Sequence, residues 1–337
     1  AGRRDTALPD AAWHRPSEGG AEAGRGTLSL LAGATGGRGD GDGIGKAARF
    51  NAQEGLVADG KGNLYVADHG NHTIRRIVLA TAEVTTVAGT PGVSGLDDGL
   101  GSQARFYLPT TLTYDGAGRL FVVDQNARAI RKIALDTGRV DTLVAFSNQD
   151  LVADAGATWG PVRNMRGIAS DGQGNLFVAD YSGCTVRKIV VATGAISILA
   201  GAPDQRAMAD GIGLDARFFS PFALAVDKRG NLFVSDNWSL RKIVIASGEV
   251  TTLAKAVNVI VGIAPHDNGE VFIADSGSYL VRKFDPSSGT LSTLFALAAD
   301  PVNDGQDAEQ ATPFMNALTG DGAGNLNRLA VIGGCRQ

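Results

Sequence analysis

Aspartate and arginine recur at a near-constant offset along the chain, a pattern with the residue types needed for acid–base or metal chemistry. The offset is seven residues in four pairs and five in the last, at Asp68–Arg75, Asp124–Arg131, Asp180–Arg187, Asp275–Arg282 and Asp236–Arg241. A residue used in the same way in every copy of a repeat does not mark one unique site. We therefore expect these residues to form structural ion pairs that fix a turn between strands.

Three loops rich in glycine and aspartate, at residues 39–45, 97–101 and 210–213, resemble calcium loops in composition. A calcium loop requires oxygen ligands at alternating positions and a bidentate acid near position twelve, and none of the three completes that pattern. The first loop is not a phosphate loop either, because no Gly-Lys-Ser/Thr follows it. Glycine-rich turns are the predicted structure.

Histidine could supply metal ligands, and the chain has four: His14, His69, His72 and His266. A catalytic zinc centre requires three convergent protein ligands, and no third histidine lies beside His69 and His72 in the sequence. The sequence therefore predicts no metal site and no cofactor.

An internal repeat provides the elements that must position these side chains. A turn aspartate recurs at Asp59, Asp115, Asp171 and Asp227, in three steps of 56 residues. Each copy holds four short apolar or alternating runs separated by glycine-containing turns, which is typical of strands and hairpins. Four antiparallel strands per copy, arranged radially, make the blade of a β-propeller.

The predicted fold is an all-β, six-bladed β-propeller of four-stranded antiparallel blades, formed by residues 26–337 as a single domain. Residues 26–33 match the fourth strand of the first copy, and we expect them to form the outer strand of the C-terminal blade and close the ring. The blades are predicted at about 54–89, 110–145, 166–201, 222–254, 261–297, and 316–337 plus 26–33.

The two ends of the chain leave one strand of the C-terminal blade unassigned. Its third strand is either Cys335–Gln337 or the segment around Trp13. Residues 1–25 contain no apolar run and are predicted to be a flexible leader rather than a signal peptide. Deletion of residues 1–20 is accordingly expected to leave the melting temperature nearly unchanged.

Two cysteines are present, Cys184 and Cys335. They fall at roughly equivalent places in repeats that are half a ring apart, farther than the Cα separation of about 7 Å that a disulfide allows. We expect two unpaired thiols.

The repeated runs NLYVADHGNHTIRRI, NLFVADYSGCTVRKI and VFIADSGSYLVRKF resemble the NHL repeat. The linkers GDGIGKAARF, DGLGSQARF and DGIGLDARF resemble those of bacterial NHL-repeat proteins. The resemblance covers about residues 26–337 and implies the propeller fold, whereas propellers host many unrelated functions. One family relative, a peptidylglycine-type amidating lyase, uses a metal in such a propeller, and this sequence shows no matching ligand set.

Charge and hydropathy exclude several partners. The formal net charge is −4, and the six linkers between predicted blades carry 8 Lys and Arg against 13 Asp and Glu. Some eukaryotic NHL domains bind RNA through a basic face, but an acidic face does not attract nucleic acid. No apolar run approaches the roughly 20 residues that span a bilayer, so membrane insertion is not expected. The predicted location is secreted or periplasmic.

Binding residues are predicted at two places on the face that carries the long linkers, where loops on a rigid scaffold usually bind. The first residue of each innermost strand should surround the mouth of the central channel. This mixed ring fits either a specific site or drift at unconstrained positions, and its members are Glu54, Thr110, Arg166, Phe222, Val261 and Asn316. Aromatic anchors on the surrounding loop face are predicted at Trp238, Tyr181, Tyr279 and Trp159.

These features predict a non-catalytic binding or scaffold propeller whose long-loop face binds a protein, peptide or glycan partner. The alternative is a lyase- or hydrolase-type enzyme with its site at the channel mouth, and a third is the sensor domain of a larger protein. A convergent polar set around Glu54 and Arg166 favours the enzyme, whereas an aromatic face without one favours binding. The shortened linker 254–260 and the short loop 236–239 further predict a notch in that face beside the channel.

Overall fold

The computed structural model describes residues 12–14, 29–33, 38–146, 162, 164–255, 257–296, 314–320 and 329–334. Strands dominate these residues. The helical segments in this part of the chain are four single 3₁₀ turns, at Gly45–Ala47, His69–Asn71, Gly101–Gln103 and Gly213–Asp215.

Strands are numbered along the chain. The N-terminal third contains β1 (Ala12–His14), β2 (Ser29–Ala32), β3 (Gly43–Ile44), β4 (Gln53–Ala58), β5 (Asn63–Asp68), β6 (Thr73–Val78), β7 (Glu83–Ala88) and β8 (Gly99–Leu100). The middle of the chain contains β9 (Pro109–Tyr114), β10 (Arg119–Asp124), β11 (Ala129–Ala134), β12 (Arg139–Ala145), β13 (Met165–Ser170), β14 (Asn175–Asp180), β15 (Thr185–Val190), β16 (Ile196–Ala200), β17 (Gly211–Ile212) and β18 (Pro221–Val226). The remaining strands are β19 (Asn231–Asp236), β20 (Ser239–Val244), β21 (Glu249–Lys255), β22 (Ile260–Pro265), β23 (Val271–Asp275), β24 (Leu280–Asp285), β25 (Thr290–Ala296), β26 (Phe314–Gly320) and β27 (Leu329–Gly334).

Contiguous stretches of chain form five antiparallel blades. Blades 1, 2 and 4 have the strand orders β3-β7-β6-β5-β4, β8-β12-β11-β10-β9 and β17-β21-β20-β19-β18. Blades 3 and 5 have the orders β13-β14-β15-β16 and β22-β23-β24-β25. In each blade the first long strand lies innermost, and the additional short strand of blades 1, 2 and 4 comes from the preceding linker.

The prediction of six uniform four-stranded blades is therefore wrong. The repeats build five blades, three of which have five strands, because the linker strands β3, β8 and β17 pair with the fourth strand of their blade. The C-terminal segment does not form a blade of its own, since it contributes only β26 and β27 to the structure described.

One further sheet combines the two ends of the chain in the order β2-β1-β27-β26, and we call it the composite sheet. β26 contacts the innermost strands β22 and β4, so this sheet lies between blades 5 and 1. β2 is its outer strand, as predicted for residues 26–33, and β1 pairs with both β2 and β27. Of the two alternatives for the third strand, the structure has the segment around Trp13. This strand lies within residues 1–25, for which the sequence predicts a flexible leader.

The predicted turn aspartates close the first hairpin of blades 1 to 4. In blade 1, Asp59 Oδ1 accepts hydrogen bonds from the backbone N–H groups of Lys61 (2.7 Å) and Asn63 (3.0 Å). Equivalent bonds are made at Asp115, Asp171 and Asp227. In blade 5 the imidazole of His266 takes this role, with Nδ1 accepting from the N–H of Asn268 at 3.2 Å.

The apolar cores lie between neighbouring blades rather than within one blade. The core between blades 1 and 2, for example, contains Tyr65 and Ala67 from β5 together with Leu112, Leu120 and Val122 from β9 and β10. Each blade is thus buried on both faces, and the packing that stabilises the ring also fixes the innermost strands around the axis.

Candidate functional site

The repeated aspartates and arginines are paired, as predicted, at the end of each blade's second strand. The nitrogen–oxygen distances are 2.8 Å at Asp68–Arg75, 3.4 Å at Asp124–Arg131, 3.3 Å at Asp180–Arg187, 3.1 Å at Asp236–Arg241 and 3.0 Å at Asp275–Arg282. All five carboxylates are buried. Burial raises the pKa of Asp68 to about 6, against the lowering effect of hydrogen bonds from Asn51, Asn71 and Arg75.

The Gly/Asp loops supply a second carboxylate to three of these arginines. The distances are 2.7 Å for Asp42–Arg75, 2.8 Å for Asp98–Arg131 and 2.9 Å for Asp210–Arg241. A buried linker phenylalanine lies under each guanidinium, at 5.1 Å for Phe50, 5.2 Å for Phe106 and 4.7 Å for Phe218. These loops therefore anchor linkers to blades. Across the described part of the chain, no group of three or more His, Cys, Asp and Glu side chains is placed to hold a metal.

The side chains of His69 and His72 contact backbone groups of the next blade and do not converge on a common metal site. His69 Nδ1 lies 3.2 Å from the carbonyl oxygen of Pro109, and His72 Nδ1 accepts a hydrogen bond from the N–H of Leu108 at 3.3 Å. Burial, followed by the nearby His69, lowers the pKa of His72. Both histidines therefore join blade 1 to the strand entry of blade 2. The side chain of His14 lies outside the described residues.

Cys184 is buried and is not in a disulfide. Burial raises the pKa of its thiol, and Arg206 opposes that shift. A buried thiol of raised pKa is a poor nucleophile. Cys335 lies outside the described residues.

A cavity of about 680 Å³ lies on the propeller axis, lined by the innermost strands. It contains five of the six residues predicted at the channel mouth: Glu54, Thr110, Arg166, Phe222 and Val261. The sixth, Asn316, lies on β26, and its side chain is outside the described residues. Residues 258–259 of the shortened linker and the loop 276–279 also line the cavity, so it is bounded by groups of the long-loop face.

The cavity lining is apolar at depth and carries few charges. One aliphatic side chain from each innermost strand forms the deeper wall: Leu56, Leu112, Ile168, Leu224, Ile263 and Leu318. Among the described lining residues, Glu54 and Arg166 are the two with formal charge, and no ion pair joins them. Concave sites that combine an apolar wall with placed polar groups are typical of ligand-binding pockets.

Arg166 lies beside two aromatic rings. Its guanidinium carbon lies 6.0 Å from the ring centre of Tyr181 and 5.7 Å from that of Phe222. The two rings meet edge to face, with centres 6.3 Å apart and planes at 83°. Thr111 Oγ1 donates to the carbonyl oxygen of Arg166 at 2.9 Å, which ties β13 to β9. The arginine is thereby positioned by three different blades.

Glycine beside Arg166 allows this arrangement. A Cβ atom on Gly167 would lie 2.2 Å from the carbonyl oxygen of Phe222, so β13 approaches β18 more closely than any larger residue allows. Gly55 has the same relation to Thr110, at 2.3 Å. The sequence contains the signal for this close approach, since both glycines directly follow a predicted ring residue.

The predicted loop-face aromatics occupy different environments. Trp238 is 61 % exposed and does not line the cavity, although its carbonyl oxygen accepts a hydrogen bond from the N–H of Val257 at 3.2 Å. Tyr279 lines the cavity, Tyr181 packs on Arg166, and Trp159 lies outside the described residues. The sequence did not predict that Asn258, Val259 and Ser276 would line the cavity, but the shortened linker was the available signal.

Blades of four or five antiparallel strands around an axial cavity define the chain as a β-propeller repeat protein. No family model matches it. NHL repeat-containing protein 2 of Homo sapiens is 27 % identical over 323 residues, which are 81 % of this chain and 43 % of that protein. Teneurin-1 of Mus musculus is 30 % identical over 228 residues, 60 % of this chain and 8 % of its own length. The chain thus spans less than half the length of these curated relatives.

Solved structures show the same fold at low sequence identity. A protein of unknown function from Bacteroides thetaiotaomicron has a TM-score of 0.59 and 16 % identity, covering 88 % of this chain and 72 % of its own. A chain of a nidogen/laminin complex has a TM-score of 0.59 and 15 % identity, with coverages of 86 % and 91 %. A streptogramin B lyase has a TM-score of 0.55 and 12 % identity, with coverages of 84 % and 93 %.

The chain is an NHL-repeat β-propeller. Its fold and its relatives support a binding or scaffold role. In the described part of the chain, no helix is both long enough and apolar enough to cross a membrane.

Proposed function

We propose that this propeller binds a protein or peptide partner on its long-loop face, with part of the partner inserted into the axial cavity. The observation that carries the proposal is the cavity itself, whose volume of about 680 Å³ and apolar lower wall suit an inserted side chain or chain end. One structural neighbour was solved in a complex of nidogen with laminin, which is consistent with a protein partner.

Exposed apolar groups near the cavity supply the rest of the proposed contact. Trp238 and Val259 are 61 % and 46 % exposed, and Val259 also lines the cavity. Aromatic side chains are frequent energetic anchors of protein interfaces. The partner would cover this rim while one of its groups enters the axis.

A lyase- or hydrolase-type enzyme with its site in the same cavity is the second candidate. The observation that favours it is Glu54, a carboxylate placed in a cavity together with Arg166 and able in principle to act as a general base. The similarity to the streptogramin B lyase supports the fold but not the activity, because only 12 % of the aligned residues are identical.

Peptide titration tests the proposed binding site. Octapeptides that bind the wild-type protein are first selected from a random pool. They are then titrated into the wild type and into two variants. Val261→Trp fills the cavity, and Lys61→Trp is the control, with its substitution in an exposed turn of the opposite face. We expect Val261→Trp to lose at least tenfold in affinity and Lys61→Trp to bind as the wild type does. Trp238→Ala should weaken binding without lowering stability, since its indole is exposed. Unchanged affinity of Val261→Trp would refute insertion into the cavity.

A further inference from the structure

Resting on the proposed function, we propose that Arg166 anchors a carboxylate of the inserted ligand, and that the ligand has an apolar body seated on the aliphatic wall below. The natural source of such a group is the C-terminal residue of a peptide, and a free apolar monocarboxylic acid has the same chemistry. Arg166 is one of the two charged residues that line the cavity within the described chain.

Arg166 differs from the repeated arginines because it is not paired with a carboxylate in the part of the chain that the structure describes. Arg75, Arg131, Arg187, Arg241 and Arg282 each pair with a carboxylate at the end of a second strand. Among the described residues, the side chain of Arg166 has no carboxylate partner. Its Nε atom lacks a hydrogen-bond partner, as do the Nε atoms of the repeated arginines, so the missing carboxylate is what sets Arg166 apart. A half-buried arginine without an anion is stabilised when an anionic ligand supplies one.

The two rings around Arg166 prepare it for such a ligand. Contacts of Tyr181 and Phe222 with the guanidinium restrict its rotation, so less side-chain entropy is lost on binding. A guanidinium presents its N–H groups as a planar fork that binds a carboxylate in a bidentate manner. This fork matches a carboxylate better than it matches a spherical anion.

Glu54 further limits the class of ligand that fits the cavity. The described lining carries one negative and one positive residue, so each negative charge that a ligand adds beyond the one paired with Arg166 is repelled by Glu54 without compensation. A ligand with a single carboxylate therefore meets less repulsion than a polyanion such as a nucleic acid or a polyphosphate. The deeper wall of Leu and Ile side chains favours an apolar group attached to that carboxylate.

The test compares octapeptides of randomised sequence, each with an apolar last residue, that end in a free carboxylate or in an amide. Binding to the wild type, to Arg166→Gln and to Arg206→Gln is measured by isothermal titration calorimetry. Arg206 is the matched control, because its guanidinium also lies over a ring, at 5.1 Å from Phe219, but does not line the cavity.

We expect amidation to weaken binding to the wild type by about tenfold to a hundredfold, as for loss of a charged hydrogen bond. Arg166→Gln should bind both peptide forms with the weak affinity of the amide, and Arg206→Gln should behave as the wild type does. Octanoate that competes with the peptides would show that a free acid suffices. Peptide binding without competition by octanoate would assign recognition to the peptide end.

Equal affinity of the wild type for acid and amide peptides would overturn the carboxylate assignment, as would discrimination that survives in Arg166→Gln. If Val261→Trp still abolishes binding in that case, insertion into the cavity stands and only the role of Arg166 fails. Absence of binding by both peptides and octanoate would overturn the inference. Arg166→Lys, which keeps the charge without the planar fork, should recover part of the discrimination and so guards against a folding defect.

Discussion

Arginine has two roles in this molecule, and the surroundings of each side chain separate them. Arg187 is paired with the buried carboxylate of Asp180, which also accepts hydrogen bonds from the N–H groups of Asn164 and Gly183. Arg166 instead lies beside two aromatic rings in the axial cavity. The first role holds strands together, and the second, in our proposal, provides a charge for a ligand.

Asp180→Ala should therefore lower the free energy of unfolding by about 3–5 kcal/mol, because a buried charge loses its partner. The matched control is Asp267→Ala, which removes an exposed pair with Lys228 and should cost about 1 kcal/mol or less. Urea denaturation of both variants at pH 7 measures the difference. A normal melting curve for Asp180→Ala combined with lost peptide binding would show that Asp180 belongs to the binding site.

His72 should make stability depend on pH. Burial lowers the pKa of His72 below its usual value of 6.5, so the unfolded chain takes up the proton first as the pH falls. The stabilising contribution is thus complete above pH 6.5 and is lost as the pH drops through the lower folded-state pKa. Protonation at Nδ1 would also remove the acceptor for the Leu108 N–H.

His72→Asn isolates this effect. Residue 72 has a φ of 59°, a left-handed conformation that asparagine tolerates, and its amide oxygen can replace the Nδ1 acceptor without titrating. Denaturation between pH 7.5 and 5.0 should show a smaller fall in stability for the variant than for the wild type. Parallel curves for the two proteins would contradict the assignment.

At the scale of secondary-structure elements, the packing of neighbouring innermost strands requires glycine at the positions where their backbones come closest. Gly167→Ala should force β13 away from β18 and cost on the order of 1–3 kcal/mol, as overpacking does. Gly41→Ala is the control, since nothing lies within 4 Å of its added Cβ. Thermal melting of the two variants compares the costs, and equal melting temperatures would show that β13 can shift freely.

Deletions at the N-terminus test the composite sheet. Removal of residues 1–11 keeps every strand of the composite sheet and serves as the reference, whereas removal of residues 1–20 takes away β1, which pairs with both β2 and β27. The second deletion should separate β2 from the sheet and lower the melting temperature almost as much as deletion of residues 1–33. Differential scanning calorimetry provides the comparison, and a deletion of residues 1–20 that melts like the full chain would refute the pairing of β1.

The strands of the repeat could be predicted from the sequence, because each copy has the same apolar runs separated by the same turn residues. The hairpins at Asp59 and its equivalents follow directly from aspartate and glycine at fixed positions. The fifth strands were not predicted, since β3, β8 and β17 are two residues long and each directly follows a linker aspartate that bonds to a distant arginine. The blade count failed because the C-terminal segment contributes only β26 and β27, and β27 pairs with β1, more than 300 positions away in the sequence.

At the scale of the whole molecule, the ring brings together residues that lie about 56 positions apart in sequence. Alignment of the repeats was enough to predict that Glu54, Thr110, Arg166 and Phe222 would share one cavity. It could not predict how Arg166 is held, because the partner ring of Tyr181 belongs to a loop and that of Phe222 to the next blade. The position of a residue within the repeat therefore predicts that it lines the candidate site, whereas its chemical surroundings depend on contacts between blades.

Photo-cross-linking tests most directly the claim that a partner group enters the axial cavity from the long-loop face. A selected octapeptide with benzoylphenylalanine as its last residue is irradiated with the wild-type protein, and the attachment points are mapped by mass spectrometry. We predict attachment to the cavity wall, at Phe222, Val259, Val261 or Ile263, with loss of these products in Val261→Trp. Attachment confined to outer strands or to the opposite hairpin turns would contradict the account.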